Sequence, residues 1–146
     1  MMNIDDIHVE WEEDTDINPG DLTNEARKIP KLHAKYYRYY TYEHSVQRKL
    51  EADLKRLNVL RTEWYDGSMA EEDLKELGWE PNLKRIPKGY AKDVLNGDSL
   101  IIKMKLKIGD QAEKVELLEN IIKSINNRGF LIKSMIDFER FRTGAM

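Results

Sequence analysis

The chain has 146 residues, 35% of them charged and 40% hydrophobic, and no cysteine. That length suits one modest domain; the composition excludes disulfides and thiol chemistry, and no run of 18 apolar residues offers a membrane span. The net charge of −3 conceals a gradient: eight acids and no Lys or Arg lie in residues 1–21, whereas ten bases meet only Glu43, Glu51 and Asp53 between Arg27 and Arg61.

Taken in chain order, NIDDIHVEW (3–11) fits a helix capped by Asn3, with Asp6 three residues on and Ile4, Ile7 and Trp11 on one face. Ile7, Val9 and Trp11 also alternate as a strand would; the helix is the preferred reading. The acidic N-terminus lacks the basic-then-apolar pattern of a secretion signal, so export is not expected. DTDINPGD is a turn-rich break, after which Asp21 or Thr23 caps a short helical piece ending near Pro30. From Lys31, Leu32, Tyr36, Tyr39, Val46, Leu50, Leu57, Leu60 and Trp64 follow steps of three and four. They predict one helix over 31–66, ~50 Å long at ~1.5 Å per residue, stopped by Asp66-Gly67.

MAEEDLKELG predicts a short helix ended by Gly78, WEPNLKRIPKGY a loop with two prolines, and Asn96-Gly97 a stop. A second long helix starts at Asp98 or Ser99. Its heptad positions are Ile101, Ile108, Val115 and Ile122, paired with Met104, Gln111, Leu118 and Ile125. Gly109 marks a bend or a close contact. Asn126-Asn127-Arg128-Gly129 reads as a cap or kink before a last helix carrying Phe130, Ile132, Met135, Ile136 and Phe138. The fold class is therefore all-α, two long amphipathic helices plus short helices in a single domain over 1–146. It has an acidic arm (1–21), a basic helix (31–66) and heptad helices (98–142). The two seams offer more apolar edge than two helices need for each other. Oligomerisation through Ile101, Met104, Ile108, Val115, Leu118, Ile122 and Ile125 is the expected outlet.

A global pI near 5.7 argues against nucleic acid, but the local excess on the first long helix argues for it. Five tyrosines fall within residues 36–42. Tyr36 and Tyr39 lie on the apolar seam and read as core; Tyr37 and Tyr40 flank it. Tyr42 instead joins Lys31, Lys35, Arg38, Lys49 and Arg56 in a stripe at helical spacing. Cations that follow phosphates, with a ring for sequence-tolerant stacking, form a single-strand binding surface; the plain alternative is a solvated face. No P-loop or dinucleotide fingerprint is present, His8, His33 and His44 lack metal-ligand spacing, and no nucleophile–base pair can be argued. No enzyme activity, cofactor or metal is expected.

RKIPKLHAKYY (27–37) and KSINNRGFLIKSMIDFERFRTG (123–144), with IDDI and Trp11 before them, NEA (24–26) and EWYDG (63–67), carry a resemblance. The chain resembles the UvsY recombination mediator family of T-even-type phages, especially its marine-phage versions. The resemblance covers both ends; residues 68–97 lie outside it. It implies a non-enzymatic, homo-oligomeric ring in the cytoplasm of an infected bacterial host. Such a ring binds single-stranded DNA, contacts the phage single-strand DNA-binding protein and loads a RecA-like recombinase, UvsX. The family's Lys-x-Arg pair near the end of the long helix falls on Val59 and Arg61, so only the Arg is kept, with Lys55 and Arg56 a turn earlier. The expected DNA contacts are thus Lys35, Arg38, Tyr42, Lys49, Lys55, Arg56 and Arg61. The alternative is a structural or adaptor coiled-coil oligomer that binds no DNA. For the acidic arm three readings stand: a solubilising tail, a mask on the basic stripe, or a segment that docks on a protein partner. Ile4, Ile7 and Trp11 favour docking.

Overall fold

Helix α1, Ile4–Asp14, starts at a reciprocal cap. The Asn3 side chain accepts from the Asp6 amide at 2.8 Å, and the Asp6 carboxylate accepts from the Asn3 amide at 3.3 Å. That settles the choice between helix and strand for NIDDIHVEW. The computed structural model describes residues 2–144, so the ends of the expected 1–146 span, Met1 and residues 145–146, lie outside the described residues. Every regular element among the described residues is helical.

Helix α2 runs Leu22–Asp66, with Asp21 accepting the Asn24 amide at its start. The expected break near Pro30 does not occur. Proline removes the one amide that would bond to the Ala26 carbonyl. Both residues are exposed, so the freed carbonyl lies on the solvent side. Ile29 and Leu32, packed against the core beside it, hold the helix through. Gly67, at φ +80°, ends α2 as expected. Helix α3, Glu71–Leu77, ends on left-handed Gly78. Within the predicted proline loop a 3-10 turn, Lys88–Tyr90, leads into a short α4, Ala91–Leu95.

Helix α5 is a single element, Ser99–Thr143, where two helices were expected. The helix does not end at 126–129, because that turn is anchored. Ile125 and Ile132 are buried on either side of it, and Arg128 is buried between them in polar contacts. Those anchors outweigh the ~1 kcal/mol that glycine costs a helix. A Cβ at Gly109 or Gly129 would meet nothing within 4 Å, so neither marks a close contact.

The chain forms two compact units: one of the residues up to Ser45 with those from Ala112 on, the other Val46–Gln111. In the first, Ile7, Tyr36, Leu118, Ile121 and Ile125 make the core, flanked by Trp11, Leu32, Tyr39 and Ile122. The Trp11 and Tyr36 rings meet edge-on at 5.4 Å. Arg128 donates to the Thr15 and Asp16 carbonyls (3.0 and 2.9 Å) just past the end of α1, and to Glu25 (3.2 Å). In the second unit Leu50, Met69, Ala91 and Ile101 are buried. No helix among the described residues is long and apolar enough to cross a membrane.

Ile101, Val115, Leu118 and Ile125 are at most 5% exposed within the chain itself, and Met104, Ile108 and Ile122 are half-buried. Four of the seven seam residues are thus covered by the chain itself, and the other three keep part of their surface. The apolar surface left on α5 is a different set, with Phe130, Leu131, Phe138 and Phe141 all exposed towards its C-terminal end.

Candidate nucleic-acid interface

In the first unit the tyrosine cluster divides by face. Tyr36 is fully buried and its hydroxyl donates to Asp14 at 2.7 Å; Tyr39, half-buried, donates to Glu10 at 2.9 Å. Burial together with the Asp14 carboxylate raises the Tyr36 hydroxyl far above its ordinary range, so it stays a donor. Lys35 reaches the same two acids, Asp14 at 2.6 Å and Glu10 at 2.7 Å. Burial works against its charge, but the two carboxylates outweigh burial and hold it above the ordinary lysine value. The acidic N-terminus thus includes a helix folded on α2, and it engages Lys35, the second cation of the predicted stripe. Arg38 and Tyr42 are both exposed, and Arg38 forms no ion pair among the described residues. Lys31, Ala34, Lys35, Arg38 and Tyr39 line a small cleft of about 340 Å³.

The second unit holds the rest of the expected contacts. Lys49, Lys55 and Arg56 are exposed and unpaired among the described residues. Arg61 is not available in the same way, at 8% exposure. Its Nε and Nη2 both donate to one carboxylate oxygen of Asp98, at 3.0 and 2.8 Å, and Tyr65 donates to that oxygen too. Trp64, Trp79 and Tyr65 surround the guanidinium, with ring centres 4.3, 4.8 and 5.2 Å from its carbon. The other Asp98 oxygen caps α5 by accepting the Leu100 and Ile101 amides. Burial pushes the Asp98 carboxyl up, but the bonds from Tyr65, Arg61 and Ile101 prevail and set it below the ordinary value. Arg61 therefore ties α2 to the start of α5.

One feature of α2 escaped the sequence reading. His33 stacks on Tyr37 (5.7 Å, 10° between planes) and Tyr40 on His44 (5.5 Å, 13°), with Tyr37 and Tyr40 6.1 Å apart. The signal was present, since each histidine lies four residues from a tyrosine, the spacing at which helical side chains meet. Tyr37 is as exposed as Tyr42, so two rings, not one, face outwards near Arg38 in sequence. Arg48, one turn beyond His44, is a further exposed and unpaired base.

Comparison with known families matches residues 10–145 to the family described as recombination, repair and ssDNA binding protein UvsY. Two crystal forms of the bacteriophage T4 recombination mediator protein UvsY have a similar fold. The type II lattice gives a TM-score of 0.81 at 23% identity, covering 98% of this chain and 99% of that one. The type IV lattice gives 0.78 at 22% identity, covering 97% and 99%. Curated proteins give no match.

Proposed function

The chain belongs to the UvsY family, and from that premise we propose that it is a non-enzymatic recombination mediator. It binds single-stranded DNA, meets the phage single-strand binding protein, and helps load a RecA-like recombinase in the host cytoplasm. The observation that carries this reading is the family match over nearly the whole chain. The exposed bases support it. Arg38 with Tyr37 and Tyr42 in the first unit, and Arg48, Lys49, Lys55 and Arg56 in the second, have no internal carboxylate partner among the described residues. Free cations and outward rings give weak, sequence-blind binding, as suits a loader that must also release its strand. Lys35 and Arg61 serve the scaffold in this reading, the first under α1 and the second on Asp98.

Assembly into a homo-oligomer multiplies those weak interactions. We assign it to the exposed Phe130, Leu131, Phe138 and Phe141 in place of the heptad seam, most of which the chain itself covers. Titrating salt against a labelled oligothymidine tests the DNA reading. Affinity should fall linearly on a log–log plot, and Arg38→Ala/Lys49→Ala/Lys55→Ala/Arg56→Ala should flatten the slope by about 3, at ~0.7 for each phosphate no longer neutralised. Binding that is absent, or indifferent to salt, would overturn it. The adaptor alternative predicts that outcome.

A further inference from the structure

Residues 84–92, KRIPKGYAK, hold Lys84, Arg85, Lys88 and Lys92 and no acid. All four bases are exposed, and none forms an ion pair among the described residues. Tyr90, 64% exposed, stands between Lys88 and Lys92. The segment is held rather than loose. The Ile86 amide donates to the Tyr65 carbonyl at 2.9 Å, and the Asn82 side chain donates to the same carbonyl at 3.2 Å. Ala91 is completely buried, Pro87 fixes the backbone before the 3-10 turn, and the Arg85 side chain lies against Gly67. Buried Ala91 beside exposed Tyr90 leaves the ring standing outwards on a fixed turn.

Two further observations bear on what this turn meets. Lys92 lines a cleft of about 710 Å³ with Lys105 of α5 and with Asn58, Val59 and Thr62 of α2. The anchoring carbonyl, Tyr65, is ten residues along α2 from Lys55, or ~15 Å. Carboxylates do approach: Asp66 is close enough to feel Lys88, and Glu63 and Asp93 share the cleft. None of the three closes an ion pair with a base of the segment.

We propose that residues 84–92 form a second single-strand contact within the Val46–Gln111 unit. Lys84, Lys88, Lys92 and Lys105 meet phosphates, and Tyr90 stacks on a base. The inference rests on the DNA-binding reading above and adds to it a site on a different element. A preorganised cation–ring–cation turn without acids matches a strand with a π-face at every base. A protein partner would have less use for a ring flanked by unneutralised charge on both sides.

The test uses full-length protein and a 5-iododeoxyuridine oligonucleotide. Photocrosslinking followed by peptide mapping should give an adduct at Tyr90. Tyr90→Leu should weaken binding by about tenfold, within the range for one base–aromatic stack. Lys84→Ala/Lys88→Ala/Lys92→Ala should flatten the salt slope by about 2. Helicity of each variant should equal that of the parent. If crosslinks fall only on α2 and both variants bind as the parent does, the second contact is wrong while the α2 surface stands. If the turn variants keep full DNA affinity but lose capture of recombinase or single-strand binding protein, the turn is a protein contact and the inference falls. If the unsubstituted protein takes no crosslink and does not bind, the underlying reading has failed instead.

Discussion

Asp98 holds four residues with two oxygens: Arg61 and Tyr65 on one, the Leu100 and Ile101 amides of α5 on the other. Asp98→Asn leaves a buried guanidinium without its counter-charge, and should destabilise the fold by about 3–5 kcal/mol at neutral pH. Since the folded carboxyl lies below its ordinary value, its contribution is present above about pH 3.9 and is lost as pH falls through the folded value. Denaturation midpoints measured against pH should therefore show the parent losing stability below about pH 4, and Asp98→Asn losing less over the same window. The tyrosines allow a sharper contrast. Tyr36→Ala should cost about 3–5 kcal/mol, as for other buried aromatics; Tyr42→Leu should leave the urea midpoint nearly unchanged and lower DNA affinity. The sequence separated these two rings because one lies on a seam and the other on a charged stripe. It could not separate Arg61 from Lys55 or Arg56. A base near a helix end looks the same whether or not an aspartate 37 residues later is waiting for it.

At the scale of elements, boundaries set by local chemistry were legible. The Asn3 cap, the Asp66-Gly67 and Asn96-Gly97 stops, and the Gly78 terminus all act through residues within a turn of one another. The errors came where distant contacts overrode local preference. Pro30 and the 126–129 turn both carry helix-breaking residues, and both sit next to side chains that pack or pair across the first unit. Helix α1 tests the mask reading directly. Deleting it would take Ile7 out of the core, uncover the Tyr36 ring and confuse folding with binding. Glu10→Gln/Asp14→Asn instead frees Lys35 while keeping the apolar face. If α1 competes with phosphates, this pair should tighten oligothymidine binding by several fold at low salt, and the gain should shrink as salt screens it. If α1 serves a protein partner, DNA affinity should stay put while recombinase loading falls.

For the whole molecule, the all-α class and the two long helices followed from periodicity, but the use of the seams did not. A 3-4 pattern says that a face is apolar; it does not say whether the chain itself or a second copy covers it. Here the chain does, at Ile101, Val115, Leu118 and Ile125. Ile108→Asp/Val115→Asp should therefore unfold the protein, seen as lost helicity, instead of merely dissociating it. Phe130→Ser/Phe138→Ser/Phe141→Ser should keep helicity and lower the mass measured by light scattering. An unchanged mass would remove the aromatic stripe as the assembly surface.

The first compact unit draws on both ends of the chain, and the second on the unbroken middle. During synthesis this imposes an order. Every residue of the middle unit has left the ribosome once Gln111 emerges, whereas Ile7 and Tyr36 must wait for Leu118, Ile121 and Ile125, and the end of α1 for Arg128. Nascent chains arrested with residue 111 just clear of the exit should resist protease across 46–111 while α1 is still cut. Protection of α1 should arrive only after Arg128 and Ile132 are free, so the acidic helix stays unsheltered until the C-terminal part of α5 has left the ribosome.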